Sequence, residues 1–261
     1  MTQMGRSDPE RQGRGAEKAH YHMVKSAKGS GGQGQSGSRK LTVRVRTAKG
    51  RKIASTRWLQ RQLNDPYVEE AKRQGYRSRA AFKLAEIDDK YHLLKPGLTV
   101  VDLGAAPGGW SQIAAQRVGL TAGKGKVVAL DLVAMEPVQG VIQLTVDMTD
   151  GDSPERIREA LDGKPADVVL SDMHAPAMGH KSTDHLRIMS LVEAALDLAE
   201  EILAPGGAFL CKVLQGGADK ELVARLNRSF AKVRHVKPKA SRADSAEMYV
   251  LATGFRGAAE T

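Results

Sequence analysis

Six apolar runs of strand length recur between residues 98 and 255, and helical stretches separate several of them. The runs cover residues 98–103, 126–132, 141–147, 166–172, 207–214 and 248–255. Alternating helix and strand is typical of crossover units and a parallel sheet. Because the runs are almost wholly apolar, we expect strands that are covered on both faces. The sequence therefore predicts an α/β fold with a mostly parallel, doubly wound sheet.

The segments around these runs carry helical signals. We predict helices over residues 56–75 and 78–91, after Gly109, and near residues 153–162, 183–203 and 217–230. Within the first of these, Asp65-Pro66 is predicted to form a cap and first turn. The stretch LAPGG, residues 203–207, is predicted to stop a helix and form a turn.

The positive charge of the chain is concentrated at its beginning. The chain has 261 residues and a net charge of +10, and its first 60 residues hold 14 Lys/Arg but only 3 Asp/Glu. The stretch GSGGQGQSGS, residues 29–38, can bury almost nothing. We therefore divide the chain into a flexible basic arm, residues 1–54, and a folded domain, residues 55–261. The arm either neutralises phosphates of a nucleic acid or keeps the protein soluble.

Composition also limits the compartment and the type of site. No apolar run approaches the roughly 18 residues of a membrane span, and the basic N-terminus lacks the apolar segment of a secretory signal. The single cysteine, Cys211, cannot form an internal disulfide. A cytoplasmic protein without membrane association is expected. One cysteine and seven histidines also argue against a dedicated zinc site.

The stretch VVDLGAAPGGWSQ, residues 100–112, places glycines at the end of the first predicted strand. Gly104, Gly108 and Gly109 let a ligand lie against the backbone, and the following helix offers free N–H groups. In a doubly wound sheet this position is the crevice at the carboxyl ends of the strands. The ligand is expected to be a nucleotide or a nucleoside.

The details of this loop favour a nucleoside without phosphates. The order G-A-A-P-G-G departs from the dinucleotide fingerprint, and Pro107 removes an N–H that a pyrophosphate would need. Asp131 ends the second strand, where an acid accepts hydrogen bonds from ribose hydroxyls, and Asp147 ends the third, near an adenine amino group. Each acid alone could instead be a turn or cap residue. S-adenosylmethionine fits this pattern better than NAD does.

Four further residues carry possible chemistry. Asp172 ends the fourth strand, and Lys212 lies inside the fifth, where a lysine is costly unless it has a partner or a task. Parallel topology should make these two neighbours. Lys83, in a predicted helix, could be an exposed charge, and Lys212 could reach out to water from a strand end. Glu247 precedes the last strand.

Several long motifs occur in one order between residues 55 and 254. They are STRWLQRQLNDPYV, GYRSRAAFKLAEI, VVDLGAAPGGWSQ, LSDM, LAPGGAFLCKVLQG and the ending SR…E-MYVLATG. The chain thus strongly resembles the FtsJ family, the bacterial ribosomal RNA large-subunit methyltransferases E. The resemblance implies a Rossmann-like S-adenosylmethionine-dependent methyltransferase fold with an antiparallel last strand.

The resemblance also implies roles for individual residues. The family's catalytic tetrad falls on Lys83, Asp172, Lys212 and Glu247. Its cofactor contacts fall on Gly108, Trp110, Asp131, Asp147 and Asp172. From position alone, Trp110 is instead expected to anchor a helix to the sheet.

The reaction implied by the resemblance is 2′-O-methylation of a uridine in 23S ribosomal RNA, carried out by a monomer on the large ribosomal subunit. A ribose hydroxyl is a poor nucleophile and needs a base, for which Lys212 is our candidate. A free lysine has a pKa of about 10.4. Burial and a second nearby cation, Lys83, favour the neutral amine that a base requires, whereas Asp172 opposes this shift and orients the ammonium.

Two departures from the family accompany this resemblance. After LSDM the family usually reads A-P-N, whereas this chain reads His174-Ala175-Pro176-Ala177. The arm is also longer than the family's short N-terminus. Three alternatives remain open: the same chemistry on tRNA or another RNA, a non-catalytic RNA-binding assembly factor, and a nicotinamide dehydrogenase. The missing fingerprint disfavours the dehydrogenase.

Overall fold

The fold is described here from a computed structural model. It describes residue 45 and residues 53–148, 150–175, 181–215 and 220–257. The predicted basic arm, residues 1–54, falls almost entirely outside these residues, so its flexibility stays a prediction. No helix in these ranges is long and apolar enough to span a membrane.

The described part of the chain forms one mixed sheet of seven strands. They are β1 (Thr99–Leu103), β2 (Lys126–Asp131), β3 (Ile142–Thr145), β4 (Ala166–Ser171), β5 (Leu203–Leu214), β6 (Phe230–Val236) and β7 (Glu247–Phe255). Their spatial order is β3-β2-β1-β4-β5-β7-β6. Strands β1 to β5 pair in parallel, and β7 runs antiparallel to both β5 and β6. This topology confirms the predicted α/β class and the antiparallel last strand.

Helices lie close to the predicted positions, although the stretch predicted as one helix over residues 56–75 forms two. They are α1 (Ile53–Leu63), α2 (Pro66–Gln74), α3 (Ala80–Tyr91), α4 (Gly109–Val118), α5 (Ser153–Ala160), α6 (Lys181–Ile202) and α7 (Lys220–Ser229). The predicted cap between the first two is confirmed. The Asp65 side chain accepts a hydrogen bond of 3.0 Å from the Tyr67 N–H, with Pro66 in the first turn.

Two features of the sheet differ from the prediction. Strand β6 was not predicted, because FAKVRHV has no continuous apolar run and lies at the sheet edge. The stretch LAPGG follows the end of α6, as predicted, but it belongs to β5 rather than to a separate turn. Its pairing with β4 is irregular between Ala166 and Val168, where the register shifts. An extra length of chain is thus accommodated at the entrance of β5 as a bulge.

The core has two parts, as expected for a sheet that is covered on both faces. One contains side chains of α5, α6 and α7, and Phe209, Phe230 and Phe255 lie within it. The other contains side chains of α3 and α4 and includes Trp110 and Tyr249. The parallel register aligns Leu103 with Ser171 and Asp131 with Thr145, so these four strands end at one edge. The residues with predicted chemistry follow this edge.

Candidate active site

A cleft of about 250 Å³ opens at the carboxyl ends of β1 to β4, and we call it the acidic cleft. Its lining residues are Leu103, Gly104, Ala106, Leu130, Asp131, Leu132, Val146, Asp147, Met148, Asp172, Met173, His174 and Leu191. Three carboxylates stand among apolar side chains, and this lining contains no lysine or arginine. The cleft therefore suits a ligand with hydroxyl groups or positive charge, and it is poorly made for phosphates.

Asp131 supports the backbone around this cleft. Its Oδ2 accepts a hydrogen bond of 2.9 Å from the Ala106 N–H, and its Oδ1 accepts one of 2.9 Å from the Val133 N–H. The side chain therefore does act as a turn residue at the end of β2. A carboxylate offers about four lone-pair sites, so a ligand hydroxyl can still bind. Asp147, the second predicted ligand contact, also lines the cleft.

The glycine loop after β1 packs directly on the loop after β4. Gly104 has a φ of +72°, and a Cβ built on it would lie 2.6 Å from Met173 Cγ and 2.9 Å from Met173 Cα. Any larger residue would push these loops apart and change the floor of the acidic cleft. A glycine is required here for both its conformation and its size.

Two predicted cofactor contacts lie beside the acidic cleft rather than in its lining. Gly108 caps α4 with a left-handed conformation. Trp110 is 2% exposed, its Nε1 donates to the Ala80 carbonyl at 2.8 Å, and its ring lies 5.6 Å from that of Tyr249. This geometry matches the alternative in which Trp110 anchors the helix to the core. A direct contact of either residue with a ligand stays a prediction.

Lys212 and Asp172 form a close ion pair, as the parallel topology predicted. Lys212 Nζ lies 3.1 Å from Asp172 Oδ1 and donates to the Asp172 carbonyl at 2.6 Å. Their side chains are 9% and 18% exposed. Such a pair is held rigidly, because each charge is largely removed from water and finds its partner within hydrogen-bond reach.

Lys83 and Glu247 form a second pair. Lys83 Nζ lies 2.7 Å from Glu247 Oε2, and Ser241 Oγ donates to Glu247 Oε1 at 2.7 Å. Burial alone would raise the pKa of Glu247, but Lys83, the Ser241 hydrogen bond and the charge of Lys212 lower it below its ordinary value. Glu247 therefore stays ionised and orients the Lys83 ammonium.

Tyr249 connects the two pairs, although the sequence gave it no predicted role. Its hydroxyl donates to Asp172 Oδ1 at 3.0 Å, and Lys83 Nζ lies 5.9 Å from the centre of its ring. In the β5–β7 register Tyr249 pairs with Lys212. Burial and the charges of Asp172 and Glu247 raise the pKa of Tyr249 well above its ordinary value, so it remains a hydrogen-bond donor. The sequence signal that could have placed Tyr249 in the site is its spacing of two residues from Glu247, which puts both side chains on the same strand face.

His174 lies at the mouth of the acidic cleft, where the chain departs from the family motif. Burial and the charge of Lys212 lower its pKa, while Asp172 and Glu247 act in the opposite direction. The imidazole is therefore neutral near pH 7. Pro176 and Ala177, which complete the departure, lie outside the described residues.

Asp102 is a fully buried carboxyl behind the acidic cleft. Its Oδ2 accepts a hydrogen bond of 2.6 Å from Ser111 Oγ, but its Oδ1 has no hydrogen-bond partner among the described residues. Burial, together with the charges of Asp172 and Asp131, raises its pKa to about 7 although Ser111 opposes the shift. Near neutral pH this group therefore carries a proton part of the time.

Cys211 precedes Lys212 on β5 and points to the other side of the strand. It is 1% exposed and packs in the core with α6 and α7. Burial raises the pKa of its thiol to about 12, although a Ser171 hydrogen bond and the Lys212 charge oppose this. The thiol is therefore protonated at neutral pH and chemically inert.

A second cleft adjoins the tetrad and has the opposite character; we call it the basic cleft. Its lining residues are Arg61, Gln62, Arg79, Lys83, Arg242, Asp244, Ser245 and Glu247, and its volume is about 250 Å³. Asp65, whose side chain is 6% exposed, holds two of its guanidinium groups. Arg79 pairs with Asp65 Oδ2, and Arg242 donates to the same oxygen at 3.0 and 3.2 Å.

The part of the chain that matches a protein-family model includes the site described above. Residues 76–255 match the model of the FtsJ-like methyltransferases, and this range contains all eight predicted site residues. It also includes both loops that floor the acidic cleft.

Two curated relatives match most of the chain. A ribosomal RNA large subunit methyltransferase E from Paramagnetospirillum magneticum is 61% identical over 234 residues, which is 89% of this chain and 95% of the relative. A protein of the same name from a Bradyrhizobium strain is 63% identical over 218 residues, with 84% and 94% covered. Both matches are longer than the span of residues 55–261, so they continue into the basic arm. That the arm exceeds the family's N-terminus stays a prediction.

A solved structure gives the same picture of the fold. A ribosomal RNA methyltransferase from Plasmodium falciparum superposes with a TM-score of 0.63 and is 30% identical. The match covers 70% of this chain and the whole of that protein.

Proposed function

This chain belongs to the FtsJ-like methyltransferase family, and from that membership we propose its substrates. It transfers a methyl group from S-adenosylmethionine to the 2′-hydroxyl of a uridine in the 23S ribosomal RNA of the large ribosomal subunit. The observation that carries this proposal is the arrangement of the two lysine–carboxylate pairs, which lie between an acidic cleft and a basic one.

The acidic cleft fits S-adenosylmethionine by the chemistry of its donors and acceptors. Asp131 is proposed to accept hydrogen bonds from the ribose hydroxyls, and Asp147 from the adenine amino group. Apolar side chains such as Leu132 and Met148 offer contact to the base. Bound there, this cofactor supplies an electrophilic methyl group on a positively charged sulfur, a charge that Asp172 complements.

Lys212 is proposed as the general base that accepts the proton of the ribose hydroxyl. Its Nζ lies in a fixed place because Asp172 holds it through both a carboxylate oxygen and the backbone carbonyl. A lysine acts as a base only as the free amine, so the ribose proton passes to Nζ in that form. Lys212 is 9% exposed, and both it and Lys83 act on Glu247.

The other members position these groups. Tyr249 donates to Asp172 Oδ1 and so leaves Oδ2 for other contacts. Glu247 fixes Lys83, whose remaining N–H groups can hold the oxygen of the ribose hydroxyl. Proximity then supplies much of the rate, because the hydroxyl and the methyl group are held in a reactive orientation.

The test uses tritium-labelled S-adenosylmethionine with three RNA substrates in parallel. Purified large ribosomal subunits, free ribosomal RNA and tRNA are each incubated with the full-length protein. We expect label only in the large-subunit RNA, on the 2′-oxygen of a uridine. Methylation there blocks alkaline cleavage of the adjoining phosphodiester bond, and this resistance identifies the labelled position. Label in tRNA would redirect the proposal to another RNA. The absence of label in all three would favour the non-catalytic assembly factor.

A further inference from the structure

A third cleft, far along α3 from the tetrad, has no role in the chemistry proposed above; we call it the distal cleft. It has a volume of about 530 Å³ and is lined by Glu86, Ile87, Asp89, Lys90, Tyr91, Val236, Lys237, Pro238 and Lys239. We propose that it binds the phosphates of nucleotides that flank the methylated one. This inference rests on the proposed RNA substrate and adds a second contact region to it.

The distal cleft adjoins a bridging cleft of about 460 Å³, which in turn adjoins the basic cleft. The bridging cleft shares Arg61, Arg79 and Arg242 with the basic cleft, and it shares Lys239 with the distal cleft. A strand that enters at the tetrad can therefore pass over a series of adjoining clefts to reach Lys90. Grooves of this kind, lined with cations, track the backbone of single-stranded nucleic acids.

The charges in the distal cleft favour a polyanion. Lys90, Lys237 and Lys239 are exposed, whereas the two acidic side chains are already engaged. Glu86 accepts hydrogen bonds from the Tyr67 hydroxyl at 3.3 Å and the Ala240 N–H at 3.1 Å. Asp89 pairs with Arg117 at 2.6 Å. The lysines therefore supply the charge that an approaching strand meets.

The Tyr91 ring lies beside two cationic side chains, those of Lys90 and Arg234, at one end of the distal cleft. Lys90 Nζ lies 5.1 Å from the centre of its ring, and the Arg234 guanidinium carbon lies 5.5 Å from it. Both distances are within the range of a cation–π interaction. Helix α3 and strand β6 each contribute one of these charges, so their spacing is set by the fold.

Helix geometry gives the distance that the RNA must cover. Lys83 and Lys90 lie seven residues apart on α3, which corresponds to about 10 Å at about 1.5 Å per residue. The distal cleft is thus placed to contact a phosphate within a few nucleotides of the target.

Charge reversal at two lysines tests this inference. The double variant Lys90→Glu/Lys239→Glu is compared with Lys124→Glu/Lys164→Glu, which changes the net charge equally. Both control lysines are exposed, precede β2 and β4, and line none of the basic, bridging and distal clefts. Lys237 is left unchanged because its Nζ donates to the Ser245 carbonyl at 2.8 Å and so supports the basic cleft.

The measurements are the affinity for ribosomal RNA at several salt concentrations and the methylation kinetics. We expect the distal variant to bind about tenfold more weakly near 0.1 M salt, with a log–log salt slope shallower by about 1.4 for two lost contacts. Its kcat and its affinity for S-adenosylmethionine should match wild type. The control variant should keep the wild-type slope.

Two outcomes separate the inference from the proposed function. If wild type methylates the RNA and the distal variant keeps the control's affinity and slope, the distal cleft does not bind RNA and the inference is wrong. If wild type itself transfers no methyl group to any RNA, the proposed function fails first. A fragment cut to one nucleotide on each side of the target gives an independent check, because it should not distinguish the two variants.

Discussion

The acidic cleft and the basic cleft lie on either side of the same four residues, yet their linings are opposite in charge. The acidic cleft presents three carboxylates and no lysine or arginine, and the rest of its lining is mostly apolar. The basic cleft presents three arginines and Lys83 against Asp244 and Glu247. This difference fits the two proposed partners of opposite charge, a cationic cofactor and a polyanionic RNA, which would meet at the tetrad.

The largest effect is expected where the two clefts meet. Lys212→Ala should lower kcat by about 10²- to 10⁴-fold, the usual cost of losing a general base. Affinity for S-adenosylmethionine should stay within about threefold, because Lys212 does not line the acidic cleft. Single-turnover methylation and calorimetry with the cofactor measure the two effects separately.

Lys212→Arg is the matched variant for this experiment. It keeps the positive charge and the partner Asp172, but a guanidinium remains protonated at all accessible pH values. It should be as inactive as the alanine variant. If Lys212→Arg were active, Lys212 would serve electrostatically and another group would take the proton.

The second effect concerns Asp102, the buried carboxyl behind the acidic cleft, and the pH dependence of the free energy of unfolding. Asp102 has a pKa of about 7 in the folded protein, against 3.8 for an ordinary Asp. A raised pKa adds stability that is complete below about pH 4 and is lost as the pH rises through about 7. Asp102→Asn removes this loss and should make the protein more stable than wild type above pH 7, by up to about 4 kcal/mol.

Urea unfolding of wild type and Asp102→Asn at pH 4.5, 6 and 8 measures this dependence. The difference in the free energy of unfolding should grow from pH 4.5 to pH 8. Asp150→Asn, at an exposed aspartate, should show no such trend. A constant difference across the pH range would show that Asp102 does not titrate there.

The third effect distinguishes the two roles of Asp131. Asp131→Ala should weaken S-adenosylmethionine binding about tenfold or more, since it loses hydrogen bonds to a charged acceptor. It also loses the bonds to the Ala106 and Val133 N–H groups. Calorimetry with the cofactor and titration with RNA are the measurements, and RNA affinity should not change.

Asp131→Asn serves as the comparison variant. Its amide oxygen can keep one backbone hydrogen bond, whereas the negative charge that favours ribose hydroxyls is gone. Intermediate cofactor affinity is expected. Wild-type affinity in both variants would remove Asp131 from the cofactor site and leave it as a turn residue.

The smallest effect is expected on RNA binding and concerns the basic arm. Residues 1–44 hold nine Lys/Arg and three Asp/Glu and lie outside the described residues. Replacing them with an uncharged Gly/Ser/Gln segment of equal length should weaken RNA binding several-fold and make its salt dependence shallower. The rate at saturating RNA should barely change. Equal salt slopes for both proteins would leave the arm with a solubility role.

The sheet could be predicted from sequence because its central strands are buried on both faces and appear as continuous apolar runs. Parallel topology then predicted the Lys212–Asp172 pair, which the structure brings to 3.1 Å. Strand β6 could not be predicted, since an edge strand needs few apolar residues and this one carries Lys232 and Arg234. The hydrophobic pattern that identifies a strand in the sequence is weakest in the strands that bury the fewest side chains.

The remaining parts of the site depend on contacts between distant segments. Lys83 was placed in the site only through the family resemblance, because one lysine on a helix has the same local pattern whether it is exposed or paired. Tyr249 and Asp65 were missed as site residues for the same reason: one reaches across from β7 to Asp172, and the other joins Arg79 to Arg242. Such contacts follow from the three-dimensional arrangement, and the spacing of Tyr249 from Glu247 on β7 is the one sequence signal for them.

The inert thiol of Cys211 makes this protein convenient for single-site fluorescence work. It is the only cysteine in the chain, and it is buried with a pKa of about 12, so maleimide dyes should leave the folded wild type unlabelled. A cysteine introduced at exposed Lys239 would then carry the only dye. Its emission would report arrival of a nucleic acid strand at the distal cleft in real time, separately from the chemistry at the tetrad.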